Sequence, residues 1–161
     1  MNEFTIADLC DQNDDIEIVN PIFKSYGLNT NFSGIIKTIK VNNDNSYVKK
    51  LLESNGKGYV MVIDGGASLD CALMGDNLAK QACENNWNGI LINGCIRDSK
   101  IINTLPISIK ALNTSPKKSI KNNLGEYDID ISFAGVTFVN GYYIYSDEDG
   151  IIVSRKNLIQ K

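Results

Sequence analysis

Residues 58–98, with the sequence GYVMVIDGGASLDCALMGDNLAKQACENNWNGILINGCIRD, contain two apolar segments separated by one helical segment. The first apolar segment, 58–64, is short and ends at a glycine pair, which is typical of a buried strand that meets a tight turn. Residues 77–85 are predicted to be helical, and residues 88–93 form a second buried strand that is followed at once by Gly94. Two strands around one helix indicate a β-α-β unit and therefore a partly parallel sheet.

The sequence on either side supplies further elements of both kinds. Before the unit, we predict a helix over residues 5–11 with Thr5 as its cap, a strand over 32–41 and a helix over 46–53. After Lys100, short strand candidates separated by Gly, Asn and Asp cover residues 106–112, 127–133, 136–139, 142–145 and 151–154. A chain of 161 residues has the usual size of one domain, so we expect a single mixed α/β domain over residues 1–161.

Composition excludes several classes of function. The chain contains no histidine, so catalytic triads and histidine metal ligands are excluded within one subunit and in any homo-oligomer. The net charge of −3 and the pI near 4.9 disfavour direct binding to nucleic acid. No apolar segment reaches the roughly 18 residues of a membrane span, and the N-terminus lacks the apolar stretch of a signal peptide, so we expect a cytoplasmic protein. The four cysteines form no C-x-x-C pair and are expected to be buried thiols.

The first candidate site signal is the run Gly75, Asp76, Asn77 and Leu78, which immediately precedes the predicted helix. Asp76 is a good N-cap, and the first N–H groups of a helix have no internal acceptors. Together with the helix dipole, such a turn can bind a carboxylate or a phosphate. On its own, however, an ordinary glycine-led helix cap is the commoner explanation of this pattern.

The second signal is the pair Arg97-Asp98, close behind the second buried strand, where open α/β sheets bind their ligands. Arg97, one of only two arginines, can clamp a carboxylate through two parallel hydrogen bonds. Asp98 can bind a hard cation such as Mg²⁺ through oxygen. Taken alone, the pair is better explained as a local ion pair at a strand end. The two signals together predict one binding site.

The segment over residues 64–98 resembles the signature region of the RraA-like family. This family includes 4-hydroxy-4-methyl-2-oxoglutarate aldolases and the regulator of ribonuclease E activity A. Similarity extends over nearly the whole chain and includes the segments TIADLCD at 5–11, FSGIIKTIKV at 32–41, GEYDIDISFAGVTF at 125–138 and YSDEDGIIVS at 145–154. The resemblance implies a β/β/α swivelling-domain fold with a mixed, partly parallel sheet, assembled as a homotrimer or a dimer of trimers.

The resemblance also implies roles for the candidate residues. In the aldolase branch, the loop that matches Gly75 to Leu78 gives backbone amides to the substrate carboxylate. The arginine that matches Arg97 binds the substrate, and the aspartate that matches Asp98 holds the metal. The regulator branch keeps this arginine but lacks the acid after it, so the pair found here favours an enzyme. Some aldolases carry an acid three residues past the aspartate, where this chain has Ile101, and that loss is expected to weaken metal affinity or rate.

The function implied is cleavage of 4-hydroxy-4-methyl-2-oxoglutarate into two pyruvates, with Mg²⁺ or Mn²⁺ as cofactor and no lysine Schiff base. Oxaloacetate decarboxylation through the same pyruvate enolate is an expected side activity. The general base stays open between Asp76 acting through a water and an acid from a neighbouring subunit.

A non-catalytic alternative is a regulator that docks on a ribonuclease E-type protein through acidic clusters at residues 11–17, 126–130 and 147–149. Those clusters are better explained as a solvated surface that keeps the protein soluble. The acidic run at 147–150 lacks the ligand spacing of an EF-hand and is predicted to be a turn between strands.

Overall fold

The computed structural model describes residues 3–159. The helices are α1 (Ile6–Gln12), α2 (Ser46–Leu52), α3 (Asp76–Glu84) and α4 (Ser99–Ile102). The strands of the first half are β1 (Glu17–Ile18), β2 (Lys24–Tyr26), β3 (Phe32–Lys40), β4 (Tyr59–Asp64), β5 (Ala72–Met74) and β6 (Gly89–Ile96). The strands of the second half are β7 (Ile109–Thr114), β8 (Glu126–Tyr127), β9 (Ile131–Phe133), β10 (Val136–Phe138), β11 (Tyr143–Ser146) and β12 (Ile151–Ser154).

Ten of these strands form one sheet with the order β1-β12-β11-β3-β4-β6-β7-β2, to which β5 is added beside β6 and β8 beside β3. The central pairs β3–β4, β4–β6 and β6–β7 are parallel, whereas the outer pairs are antiparallel. The predicted β-α-β unit is therefore confirmed, with β4 and β6 as its parallel strands and α3 between them in sequence. The mixed, partly parallel sheet is confirmed as well.

The core lies on both faces of the central strands, because β4 and β6 are apolar at nearly every position. Since successive side chains of a strand point to opposite faces, Met61 and Ile63 pack in the same cluster as residues of α2 and α3. Val60 and Val62 pack on the other face with residues of β9 and β10. Each fully buried aliphatic side chain of this kind contributes about 1.5–3 kcal/mol to stability.

Several sequence predictions hold in detail. Thr5 caps α1 by accepting a hydrogen bond from the N–H of Asp8. The strand at 32–41 and the helix at 46–53 form with small changes of boundary, and the acidic run at 147–150 is the turn between β11 and β12. All four cysteines are free, although only Cys71 and Cys95 are buried and the other two are partly exposed. Among residues 3–159, no helix is long and apolar enough to cross a membrane.

Other predictions are wrong at their boundaries. The second buried strand does not end at residue 93, because β5 pairs with its later residues and extends β6 through Gly94 to Ile96. The strand predicted at 127–133 is split into β8 and β9, because Asp128 has a left-handed backbone with φ of 57° and β9 pairs with β10 instead. The strand predicted at 106–112 begins later, at Ile109.

Candidate active site

The parallel pairing of β5 and β6 brings the two sequence signals together. Met74, the last residue of β5, pairs with Ile96, the last residue of β6. The N–H of Arg97 donates to the carbonyl oxygen of Met74 at 2.9 Å. Gly75 and Arg97 therefore leave the same edge of the sheet side by side, although they are far apart in sequence.

Gly75 is required by the space at this edge rather than by its backbone conformation. Its φ of −119° and ψ of −164° are open to any residue. A Cβ at this position would lie 2.7 Å from Oδ2 of Asp98 and 3.4 Å from Cγ of Arg97. The absence of a side chain thus allows the Asp98 carboxylate to approach the start of α3.

Asp98 adopts a left-handed backbone with φ of 58° and ψ of 37° immediately before α4. Aspartate is one of the few residues besides glycine that visit this region, and strain of this kind clusters at functional sites. Its Oδ2 accepts a hydrogen bond of 3.2 Å from the N–H of Asp76. The turn therefore presents the Asp98 carboxylate to the first residue of α3.

Asp76 is not the N-cap that its sequence position suggests. The cap is Gly75, and Asp76 is the first residue of α3, because Asp76 already has helical geometry and its carboxylate forms an i,i+4 ion pair with Lys80 at 3.3 Å. Partial burial acts to raise the pKa of Asp76, but the hydrogen bond from Lys80, the neighbouring Asp98 carboxyl and the charge of Lys80 outweigh it and lower the pKa below its ordinary value. The Asp76 side chain is therefore a carboxylate at neutral pH, and it can accept a hydrogen bond from a water or help to bind a cation.

The start of α3 also offers a backbone donor. The N–H of Asp76 is used by Asp98. Within residues 3–159, the N–H of Leu78 has no protein acceptor. Asn77 lies beside the Asp76 carboxylate, where its N–H helps to lower that pKa. Since the dipole of this nine-residue helix favours negative charge at its N-terminus, a carboxylate can bind here.

All of the predicted site residues line one cleft of about 210 Å³, namely Gly75, Asp76, Asn77, Leu78, Arg97 and Asp98. The same cleft is also lined by residues that the sequence did not single out, which are Asn45, Lys49, Lys118, Ser119 and Lys121. The cleft thus has four cationic side chains, from one arginine and three lysines, but only two carboxylates. This balance favours an anionic ligand.

The donors in the cleft suit a hard divalent cation. Among residues 3–159, no group of three or more His, Cys, Asp or Glu side chains is clustered as a complete metal site. The cleft provides the carboxylates of Asp76 and Asp98. Mg²⁺ is commonly held by one or two carboxylates and completes its shell with water and substrate oxygens, so this donor set fits Mg²⁺ or Mn²⁺.

The model of the RraA-like family, described as Aldolase/RraA, matches residues 6–153. The chain belongs to the RraA-like family. A relative from Aromatoleum aromaticum is 50% identical over 98% of this chain and 99% of its own length. A second, from Dechloromonas aromatica, is 48% identical over 96% of this chain and 98% of its own length. Both carry the provisional name 4-hydroxy-4-methyl-2-oxoglutarate aldolase.

Solved structures confirm the predicted RraA-like fold. The RNA-processing inhibitor RraA from Thermus thermophilis has a TM-score of 0.93 and is 38% identical, covering 96% of this chain and 94% of its own. A structure named S-adenosylmethionine:2-dimethylmenaquinone methyltransferase, from Geobacillus kaustophilus, has a TM-score of 0.95 and is 43% identical, covering 98% and 99% of the two chains. Relatives with one fold thus carry names for three different activities, and function has to be argued from the cleft.

Proposed function

We propose that this protein is a divalent-metal-dependent aldolase that cleaves 4-hydroxy-4-methyl-2-oxoglutarate into two molecules of pyruvate. The observation that carries the proposal is the convergence of the α3 N-terminus, Arg97 and Asp98 on one cleft with an excess of positive charge. The names of the two bacterial relatives support the same reaction. A cytoplasmic homotrimer or dimer of trimers is part of this proposal.

The 2-oxo acid end of the substrate would bind between Arg97 and the start of α3. The guanidinium of Arg97 donates to the oxygens of the 2-oxo acid, and the free N–H of Leu78 donates to its carboxylate. Asp98, assisted by Asp76, would hold Mg²⁺ or Mn²⁺. When bound, the metal supplies positive charge that polarises the 2-oxo group and offsets the negative charge of the transition state.

Cleavage begins when the 4-hydroxyl loses its proton to a base. The electrons of the O–H bond form the carbonyl of the first pyruvate, the C3–C4 bond breaks, and its electron pair moves onto the 2-oxo oxygen. Arg97 is positioned to stabilise that charge, which is a role of fixed donors in enolate chemistry. Protonation of C3 then gives the second pyruvate. Asp76 acting through an ordered water, or a carboxylate of a neighbouring subunit, would accept the first proton and return it to C3.

The same enolate forms when oxaloacetate loses CO₂, so we also propose oxaloacetate decarboxylation as a side activity. No lysine Schiff base takes part in either reaction. Oxaloacetate is nevertheless a poor test substrate, because free metal ions promote its decarboxylation without enzyme.

The test is release of pyruvate from 4-hydroxy-4-methyl-2-oxoglutarate by protein that has been stripped of metal and then supplied with Mg²⁺ or Mn²⁺. We expect two pyruvates per substrate molecule, with little release before metal is returned. Failure of the folded, metal-loaded protein to release pyruvate would overturn the proposal.

A second candidate function is regulation of a ribonuclease E-type enzyme through protein contacts. It is favoured by the 38% identity to the Thermus protein that is named an RNA-processing inhibitor. The charged residues at 11–17 and 126–130 are exposed. Asp147 of the third cluster is buried and accepts a hydrogen bond of 2.8 Å from the N–H of Ile6, so it serves the fold rather than the surface. A salt-sensitive complex with an arginine-rich ribonuclease segment would support this function, and no binding at low salt would refute it.

A further inference from the structure

Three lysines in the cleft have no role in the reaction as proposed. Lys49, Lys118 and Lys121, which we call the lysine wall, line the same cleft as Arg97 and Asp98. Arg97 and the start of α3 are sufficient for the first carboxylate and the 2-oxo group. The lysine wall therefore leaves positive charge for a second anionic group of the ligand.

The loop that carries two of these lysines is held in place by the rest of the fold. The carbonyl oxygen of Lys117 accepts a hydrogen bond of 2.8 Å from the N–H of Ala72, at the start of β5. The N–H of Ile120 donates to the carbonyl oxygen of Asn43 at 2.8 Å. Because one of these bonds precedes Lys118 and the other precedes Lys121, the backbone of the wall is fixed before any ligand binds.

A buried carboxylate fixes the far end of this loop. Oδ2 of Asp44 accepts hydrogen bonds from the N–H groups of Asn122 and Leu124, at 2.8 and 3.2 Å. Oδ1 of Asp44 accepts from both the N–H and the hydroxyl of Ser46, so the same side chain joins the loop to the start of α2. Lys49 lies on α2, and one buried group thus holds both parts of the lysine wall.

The separation along β5 matches the combined reach of a five-carbon dicarboxylate and a lysine side chain. Lys118 pairs with Ala72, which precedes Gly75 by three residues, or roughly 10 Å of extended strand. The terminal carbons of a five-carbon acid lie about 5 Å apart, and a lysine side chain extends about 6 Å from its Cα, as bond lengths near 1.5 Å require. A ligand held at Gly75 and Arg97 can therefore reach the ammonium group of Lys118 with its other end.

An unpartnered polar group in the same wall points to a ligand. Ser119 is only 6% exposed, and its hydroxyl has no hydrogen-bond partner within the described part of the chain. The side-chain oxygen of Asn45, in the same cleft, is also buried without a partner. Leaving such groups unsatisfied costs free energy, which a polar ligand or water can recover.

We propose that the lysine wall binds the second carboxylate of the substrate and so makes the protein specific for 2-oxo dicarboxylates. This inference rests on the proposed function only for the orientation of the substrate. It assigns Lys49, Lys118 and Lys121 as residues that determine specificity, while Arg97 and Asp98 act on the reacting atoms.

Binding of two matched compounds tests the proposal without any turnover. 2-Oxoglutarate has the five-carbon main chain and both carboxylates of the substrate but neither its 4-hydroxyl nor its 4-methyl group, so it cannot be cleaved. 2-Oxopentanoate differs only by a methyl group in place of the distal carboxylate. Both are titrated by calorimetry into Mg²⁺-loaded wild-type protein, into Lys118→Met/Lys121→Met and into Lys117→Met. The last variant removes a lysine from the same loop that does not line the cleft.

We expect wild-type protein and Lys117→Met to bind 2-oxoglutarate at least about tenfold more tightly than 2-oxopentanoate, as one charge-assisted hydrogen bond provides. The double variant, which keeps only Lys49 of the lysine wall, should lose most of this preference, with unchanged affinity for 2-oxopentanoate. Equal affinities in wild-type protein, an unchanged preference in the double variant, or no binding of either compound would each overturn the proposal. If pyruvate release fails while the preference is present and lost in the double variant, the aldolase function is wrong and the dicarboxylate site stands.

Discussion

Substitution of Gly75 by alanine tests whether the approach of β5 to Asp98 matters for the reaction. The added Cβ would lie 2.7 Å from Oδ2 of Asp98, well inside the distance at which real carbon and oxygen atoms pack. Oδ2 must therefore retreat by roughly 0.5 Å or more to reach van der Waals contact. The clash is with the end of a side chain, so the fold can accommodate it. The Asp98 carboxylate, however, has to leave its present position.

The magnitude follows from two properties of the site. Gly75 has an extended backbone that alanine adopts freely, so we expect the free energy of unfolding to change by less than about 1 kcal/mol. A misplacement of about 1 Å in an active site costs on the order of a hundredfold in rate, so a shift of half that size should lower kcat/KM by about ten- to a hundredfold. The variant should thus lose activity without losing stability.

Gly66→Ala is the matched control, because it should give the opposite result. Gly66 has φ of 65°, and an added Cβ would contact nothing within 4 Å. Left-handed backbone costs alanine about 1–2 kcal/mol, so this variant should be destabilised yet retain normal kcat/KM. Both variants are measured by pyruvate release and by urea denaturation. Full activity in folded Gly75→Ala would refute the argument that this glycine exists to admit the Asp98 carboxylate.

Three further changes probe other parts of the account. Arg97→Lys should lower kcat by about 10²–10³-fold in the pyruvate assay, since an ammonium group cannot reproduce the fixed donors of a guanidinium. Near-normal turnover would show that Arg97 does not stabilise the charge on the 2-oxo oxygen. Burial acts to raise the pKa of Asp44, but hydrogen bonds from Ser46 and from the loop amides hold the pKa below its ordinary value of 3.8. The charged form of Asp44 therefore stabilises the fold above pH 3.8, and this stabilisation is lost as the pH falls through the lower pKa of the folded protein. Asp44→Asn should therefore cost about 1–3 kcal/mol at pH 7 by urea denaturation, with a deficit that shrinks below pH 3.8; a deficit independent of pH would contradict this. Gly56→Ala would place a Cβ against the ring of buried Trp87. We expect the free energy of unfolding to fall by about 1–3 kcal/mol and the tryptophan fluorescence to shift. Unchanged stability and emission would show that the ring can move aside.

The central strands and most of the helices could be predicted because their signals are local. β4 and β6 are apolar runs of the right length, and their burial on both faces removes the alternation that would suggest a surface strand. β5 could not be predicted, because its three residues are too few for a periodic pattern and depend on pairing with Cys95 and Ile96. The same pairing extends β6 beyond its expected end.

The candidate site was only half visible in the sequence. Gly75 and Arg97-Asp98 carry recognisable chemistry, because Gly75 lies just before a predicted helix and Arg97-Asp98 comes soon after a predicted strand. Residue preference predicts the helix cap at Asp76, because aspartate is favoured there, but Gly75, with its extended backbone, takes that position. The lysine wall left no local signal, since it reaches the cleft only through long-range contacts of its loop with Ala72 and Asp44.

The most direct test of the central claim is kcat/KM for 4-hydroxy-4-methyl-2-oxoglutarate, measured at saturating Mg²⁺ for Asp98→Ala beside Asp128→Ala. Both aspartates have left-handed backbones, with φ of 58° and 57°, but Asp128 is exposed and lies outside the cleft, so the control carries the same backbone strain. We predict that folded Asp98→Ala loses at least about a hundredfold in kcat/KM, since several kcal/mol of charge stabilisation depend on this ligand, while Asp128→Ala retains wild-type activity. Equal activity in the two variants would contradict the assignment of Asp98 as the metal ligand of an aldolase.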